Sequence, residues 1–308
     1  MNSSVLVRLS LFGISCIGVT FILGCTRRFP LGFAATLSAG AYTAACLRMF
    51  AGLPWPACML FACIAGALIG MLPAVFDRAL EGDEHVVLSW MLALGLAEAI
   101  GLMEITGGQH SLIGIPPLLN GTNGFALSAW LVAAVFAGAL AIAWVFRRTH
   151  AYEEACLAGM NPLALSIAGR SPYLASLKVH LLGGALGGLA GSFWGPVYGT
   201  LHPSLFGLSE SVVFLLVCLI GGQGEPLGVI AGLAVVFLLP PLLHFNGAVG
   251  AFAALSRFLG IVPPDPDVVA NSLNQALLGV LLVISIVWLQ RGIVPSLQKS
   301  WDVLRGRR

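Results

Sequence analysis

Glu98 lies inside an apolar run, residues 86–103, with no basic residue beside it. A carboxylate at that depth is expensive unless it faces water, a cavity or a partner, so Glu98 is a candidate for lining a polar path or pinning two helices. Lys178 and His180 sit nearer the edge of another apolar run, where long side chains reach back to the interface. His244 and Glu104 read as interfacial. Arg27 and Arg28 follow the first apolar run and fit an inner-leaflet anchor; a broken helix there would bring them to a substrate carboxylate. The seven cysteines, Cys16, Cys25, Cys46, Cys58, Cys63, Cys156 and Cys218, form no C-x-x-C pair and read as small membrane-buried side chains, with no metal site or disulfide framework. No G-x-x-x-x-G-K-[ST], H-E-x-x-H or G-x-S-x-G with a credible partner set is present, so no catalytic residue is assigned. An intramembrane enzyme needs polar residues clustered at one depth, and here only Glu98 lies clearly deep.

The elements that must hold these residues are membrane helices. Of the 308 residues 58% are hydrophobic and 9% charged, with a mean hydropathy of +0.95. A soluble domain carries about a quarter charged residues, so this surface requires lipid. A net charge of +2, with no basic tract interleaved with aromatics, excludes a nucleic-acid partner. Apolar runs fall at 9–25, 33–50, 56–75, 86–103, 126–146, 174–198, 205–220 with 227–244, and 272–290. Gly221, Gly222 and Gly224 separate the paired runs, which are two short crossings or a re-entrant pair. Counted as two, they make about nine segments in an all-α polytopic bundle. Arg8 before an apolar run, and Ile22-Leu23-Gly24-Cys25, resemble a secretion signal and lipoprotein box. The rest of the chain is equally apolar, so the run reads as a first membrane helix.

Alternating nine segments places Arg27, Arg28, Arg78, Arg147, Arg148, Arg170, Lys178, Arg291, Lys299, Arg305, Arg307 and Arg308 on one side, leaving Arg8, Arg48 and Arg257. The positive-inside rule then makes that side cytoplasmic, with the N-terminus outside and the C-terminus inside. One transmembrane domain spans 1–308, with a long inner loop at about 147–173. That loop has helical character and mixed charge, as in Glu153 and Glu154, and is either a docking surface or a solvated connection. An outer loop rich in Gly, Pro and Asn covers 104–125, and a second, containing Pro263-Pro264-Asp265-Pro266, covers 245–271. The run from Gly183 to Gly191 has small residues at three- and four-residue spacing, which lets membrane helices approach closely.

Several stretches resemble, in order, the membrane permeases of branched-chain amino-acid ABC importers. They are Leu31-Gly32-Phe33-Ala34-Ala35-Thr36-Leu37-Ser38-Ala39-Gly40-Ala41-Tyr42-Thr43-Ala44-Ala45, then Glu98, then Ile105-Thr106-Gly107-Gly108-Gln109-His110-Ser111-Leu112-Ile113-Gly114-Ile115-Pro116-Pro117. The small-residue run 185–191, Phe206-Gly207-Leu208-Ser209-Glu210-Ser211, Gly221-Gly222-Gln223-Gly224 and Gln290-Arg291-Gly292-Ile293 complete the set, from about 24 to 293. Departures occur at Phe33, where relatives carry His, at Arg27-Arg28, where they carry Gly-Gln, and at Glu225-Pro226-Leu227. The inner loop matches poorly, and either Gly159 or Gly169 is the counterpart of its one family glycine.

The resemblance implies a permease subunit of an ATP-driven importer in the bacterial inner membrane. Its partners would be a second permease, cytoplasmic ATP-binding subunits that hold ATP and Mg, and an external solute-binding protein. This chain would bind no cofactor itself. Glu98, Phe33, Tyr42 and Gly40 are then substrate-path candidates, and Glu153, Glu154, Gly159 and Gly169 candidates for coupling to the ATPases. Gly107, Gly108, Ser111 and Gly114 are outer-loop candidates for the solute-binding protein. Substrates in the family are leucine-like amino acids, urea or short amides. The alternative is a secondary exporter of about ten helices, a class that usually shows repeated halves, which are not visible here.

Overall fold

The computed structural model describes residues 3–76, 83–108, 110–119 and 124–242, together with 276, 278–285, 287 and 292. The helices are α1 (Ser3–Thr26), α2 (Ala34–Phe50), α3 (Trp55–Val75), α4 (Asp83–Leu102), α5 (Gly124–Phe146), α6 (His150–Met160), α7 (Pro162–Ile167), α8 (Pro172–Tyr198), α9 (Leu208–Gly221) and α10 (Pro226–Leu242). Two short strands, β1 (Leu112–Ile113) and β2 (Thr200–Leu201), make the one sheet among the described residues. The chain is therefore an all-α polytopic bundle. Six described helical stretches are long and apolar enough to cross a membrane: α1, α3, α5, α8, Glu84–Leu102 and Pro203–Gly221. The second outer loop 245–271, the tail 293–308 and most of the run 272–290 lie outside the described residues.

Local chemistry sets the helix ends. Pro162, Pro172 and Pro226 occupy first helical positions, where the missing N–H costs nothing. Asn161 accepts from the Ala164 N–H at 3.0 Å to cap α7, and the Ser171 hydroxyl accepts from Leu174 to cap α8. Gly199, at φ 74°, closes α8 by donating to Gly195 at 2.7 Å. Arg27 takes the equivalent position after α1 at φ 56°, donating to the Leu23 carbonyl at 3.0 Å. It is the sole non-glycine residue in that region among the described residues, and it turns the chain back toward the bundle.

The run 33–50, expected to make a full crossing, does not make one. Residues 27–33 are not helical, and α2 begins only at Ala34. Phe33, at the N-terminal boundary of α2, lies against Gly18 of α1 and Gly187 of α8. Gly18 is eight residues before the end of α1, so at 1.5 Å per residue α2 starts roughly 12 Å inside the bundle. The intervening residues are a re-entrant segment: non-helical over 27–33, it has the length to reach that depth.

The bundle is assembled around α8. α2 and α3 cross it through backbone contacts with almost no side chain between them. A Cβ on Gly40 would meet the Gly188 carbonyl, and one on Gly188 would meet the Ala62 carbonyl of α3. Gly66 and Gly184 repeat the contact one turn further along. Where lipid and side chains are equally apolar, such close approach through dispersion is the principal source of helix association. α1 packs against the other side of α8, where Gly18 faces Gly183, and carries the aromatic cluster Phe12, Trp194, Phe214 and Phe237. The two short runs after 205 are separate helices: α9 and α10 form a hairpin closed at Gly221 and Gly228, with Gly222 at φ 123° in the turn.

Arg27, Arg28, Arg147, Arg148 and Arg170 gather at one end of the bundle, where α1 and α5 end and α6 lies; Arg8 and Arg48 belong to the other end. The inner loop about 147–173 is ordered as α6 and α7 at this basic end.

Candidate functional site

A narrow cavity lies beneath the start of α2, in the half of the bundle nearer the basic end. It is lined by Pro30, Gly32, Phe33, Ala35 and Thr36 of the re-entrant segment and α2, and by Ile22, Ile69, Gly70, Pro73, His85, Ser89, Leu92 and His180 from α1, α3, α4 and α8. It has room for on the order of one water molecule, so it is closed to an amino-acid side chain in this conformation. Its polar wall is unusual for a membrane interior. His85 and His180 are 0% and 1% exposed, and their rings stand edge to face with centroids 5.5 Å apart. His180 Nδ1 is 3.0 Å from the Ser176 carbonyl. The Ser89 hydroxyl donates to Val86 at 2.8 Å and accepts weakly from the Gly32 N–H at 3.4 Å. The first N–H of α2, on Ala34, donates to the Ser211 hydroxyl of α9 at 3.1 Å. Gly32 is required here, because a Cβ would strike the Ser89 carbonyl. The interruption thus presents peptide groups and the positive end of α2 to the middle of the bundle, held by side chains from α4 and α9.

The structure sorts the four path candidates. Phe33 lines the cavity, edge-on to Phe214 at 6.0 Å. Gly40 serves the crossing with α8 and faces no cavity. Tyr42 is buried against Phe206 further toward the opposite end, and its hydroxyl has no hydrogen-bond partner among the described residues. Glu98 is four residues from the end of α4, nearer the opposite end than the middle, and points away from the bundle. The exposed positions of α4, Glu84, Val87, Met91, Leu94, Gly95, Glu98 and Leu102, form one stripe at helical spacing. His180, expected to reach the interface, is instead buried against His85, whereas Lys178 is exposed as expected.

The coupling candidates lie together at the basic end. Gly159 packs against the last turn of α1, where a Cβ would collide with the Cys25 carbonyl. Glu154 pairs with Arg170 at 2.6 Å, and Glu153 with His150 at 3.3 Å on the exposed face of α6. Gly169, at φ 74°, ends the turn after α7 with open space around it. Two contacts not evident from sequence fix α6 in place. The Tyr152 hydroxyl donates to the Gly224 carbonyl at 3.1 Å; burial pushes its pKa up, so it stays a donor. Arg147 forms an ion pair with Glu225, whose side chain is 7% exposed. Through these contacts α6 touches α1, α8 and the α9–α10 turn at once.

At the opposite end the outer-loop candidates are ordered by the β1–β2 ladder, with Leu112 opposite Leu201 and Ile113 opposite Thr200. Gly107, Gly108 and Gly114 have φ of 85°, 63° and 85°, which only glycine adopts without cost. Thr106 anchors the turn by donating to the carbonyls of Ile100 and Met103 at 2.5 and 2.7 Å. Ser111 is partly exposed beside this ladder. A Ser111→Cys protein should therefore react with an impermeant maleimide added outside intact spheroplasts. Reaction only after the inner face is opened would invert the topology.

Apolar helices crossing through glycines, an interrupted helix with its start inside the bundle, and a helical platform at one end define a multi-pass membrane protein of the transport-permease class. The family described as "Branched-chain amino acid transport system / permease component" matches residues 1–286, and the chain belongs to this family. It is 24% identical over 331 aligned positions to the high-affinity branched-chain amino acid transport system permease protein LivM of Escherichia coli, covering 94% of this chain and 69% of that protein. It is likewise 24% identical over 333 positions to LivM of Salmonella typhimurium, with the same coverage. No solved structure matches the chain.

Proposed function

We propose that this chain is one permease subunit of an ATP-driven importer of branched-chain or chemically similar amino acids in the bacterial inner membrane, with its basic end and C-terminus in the cytoplasm. The observation that carries the proposal is the family match over residues 1–286. An aliphatic side chain gains by leaving water for an apolar passage, and the interrupted start of α2 places polar backbone inside the bundle, its N–H groups bonded to Ser89, Ser211 and nearby carbonyls until a substrate replaces them. ATP and Mg belong to partner subunits that would dock on α6 and α7 and pull them between two positions, switching access from one face to the other. The ordered outer loop is the surface for a solute-binding protein.

The exposed stripe of α4 supports a second permease. A carboxylate one turn from the end of α4 is costly against lipid, which favours a stripe that faces the partner permease or the shared path. Replacing Glu98 by Leu is expected to lower uptake roughly tenfold, the loss of one charge-assisted hydrogen bond. Normal abundance with normal uptake would remove Glu98 from the path and the interface. The reading as a whole is tested by uptake of labelled leucine, isoleucine, valine, urea and acetamide into cells with and without the gene. Loss of energy-dependent aliphatic amino-acid uptake on deletion supports the substrate class; loss of urea or amide uptake alone replaces it.

A further inference from the structure

The seam between α1 and α6 holds two sulfurs that the transport reading does not use. The Cys25 and Cys156 Sγ atoms are hydrogen-bonded at 3.4 Å although the residues are 131 positions apart. Cys25 is fully buried in the last turn of α1; Cys156 is partly exposed on α6. They meet because Gly159, one turn beyond Cys156 on the same face, lets α6 rest on the α1 backbone, and Tyr152, one turn before, fastens that face to Gly224. Joining the sulfurs requires roughly 1.4 Å of approach, since a disulfide is about 2.05 Å long. The other buried cysteine pair, Cys16 and Cys218, lies between α1 and α9 deep in the bundle, beyond the reach of aqueous reagents.

We propose that Cys25 and Cys156 form a dithiol modification site that reacts with small anionic disulfides, of which oxidised glutathione is the type. The shared hydrogen bond with Cys25, then the Tyr152 hydroxyl and the Arg147 and Arg27 guanidiniums, lower the Cys156 thiol to about 7 against the opposing effect of burial. The exposed sulfur is therefore the nucleophile, and the Arg27 guanidinium favours an anionic reagent, whereas Arg147 is neutralised by its pair with Glu225. The Cys156 thiolate attacks the reagent's disulfide, forming a mixed disulfide and releasing one reagent thiolate, which takes up a proton. Cys25 loses its proton to solvent and attacks the Cys156 sulfur, expelling the second reagent thiolate. In total two protein thiols are oxidised to one disulfide, and one reagent disulfide is reduced to two thiols. In a reducing cytosol the pair rests as the dithiol, and oxidation staples α6 to α1. The effect of that staple on transport rests on the coupling role proposed above for α6; the chemistry of the pair does not.

The test treats the detergent-purified complex with oxidised glutathione, traps remaining thiols with N-ethylmaleimide, and maps them by peptide mass. The wild-type protein should yield a peptide joining Cys25 to Cys156, formed several-fold faster at pH 8 than at pH 6 and reversed by dithiothreitol. Cys25→Ser should stop at a mixed disulfide on Cys156, and Cys156→Ser should leave Cys25 unmodified. A wild-type protein in which glutathione stays on Cys156, or neither thiol reacts, overturns the proposal. In reconstituted vesicles the oxidised wild type should lose at least tenfold of its uptake while Cys25→Ser keeps most of it. A disulfide formed with uptake unchanged overturns the coupling role of α6 and leaves the modification site standing.

Discussion

Gly188→Val should all but eliminate the folded protein from the membrane. Gly188 is where α3 and α8 touch backbone to backbone: a Cβ there meets the Ala62 carbonyl and Gly66, while the Gly40 backbone of α2 presses on the same turn. Three helices converge on a position with no flexible side chain to move aside. The valine must push two helices from the third, with a cost of about 3 kcal/mol or more. Because membrane helices have no hydrophobic drive between them, the lost close contact is not recovered elsewhere. Against a total stability of about 5–15 kcal/mol this lowers abundance several-fold or further. Gly138→Val is the matched control: it lies in a membrane helix too, but nothing stands within 4 Å of its Cβ position. The check is quantitative immunoblotting of membranes and fluorescence size-exclusion profiles. Equal, monodisperse amounts of both variants would show that the crossing is not what holds the bundle together.

The second large effect is on coupling. Gly159→Arg should reduce uptake by more than roughly tenfold while leaving most of the protein in the membrane. Its Cβ collides with the Cys25 carbonyl, so α6 must lift from the end of α1. Lifting it strains the Tyr152–Gly224 hydrogen bond and the Arg147–Glu225 pair, which join α6 and the end of α5 to the α9–α10 turn. The bundle itself, crossing through α8, is untouched. Glu154→Arg provides a milder comparison, since it breaks only the Arg170 pair on a partly exposed surface, worth about 0–1 kcal/mol. ATP hydrolysis and uptake measured together separate the outcomes. Retained hydrolysis with lost uptake identifies α6 as the coupling element; normal uptake in Gly159→Arg would exclude it.

The membrane helices were legible because lipid imposes length and composition. The runs 56–75, 126–146 and 174–198 became α3, α5 and α8 within a few residues. Gly107, Gly108 and Gly114 were legible only as glycines of an outer loop; their positive φ values emerge from the structure. The depth at which α2 starts was not legible: the run 33–50 matches the helix within one residue, but composition does not tell how far inside the bundle it begins. What distinguishes it is Arg27 in a left-handed conformation and the depth at which Phe33 meets Gly18 and Gly187. Long-range pairs were hidden for another reason. His85 and His180 come from α4 and α8, and Cys25 and Cys156 from α1 and α6; no periodicity within one segment announces a partner in another. Glu98 drew notice as a charge in an apolar run, yet only the packing of α4 shows that it faces outward.

A permease subunit of this kind works only within an assembly. The decisive experiment is therefore purification of the tagged chain from its native membrane in mild detergent, with co-purifying chains identified by mass. A second permease and one or two nucleotide-binding subunits are the expected companions. Recovery of this chain alone, under conditions that keep another ATP-driven transporter of the same membrane intact, would overturn the importer-subunit reading.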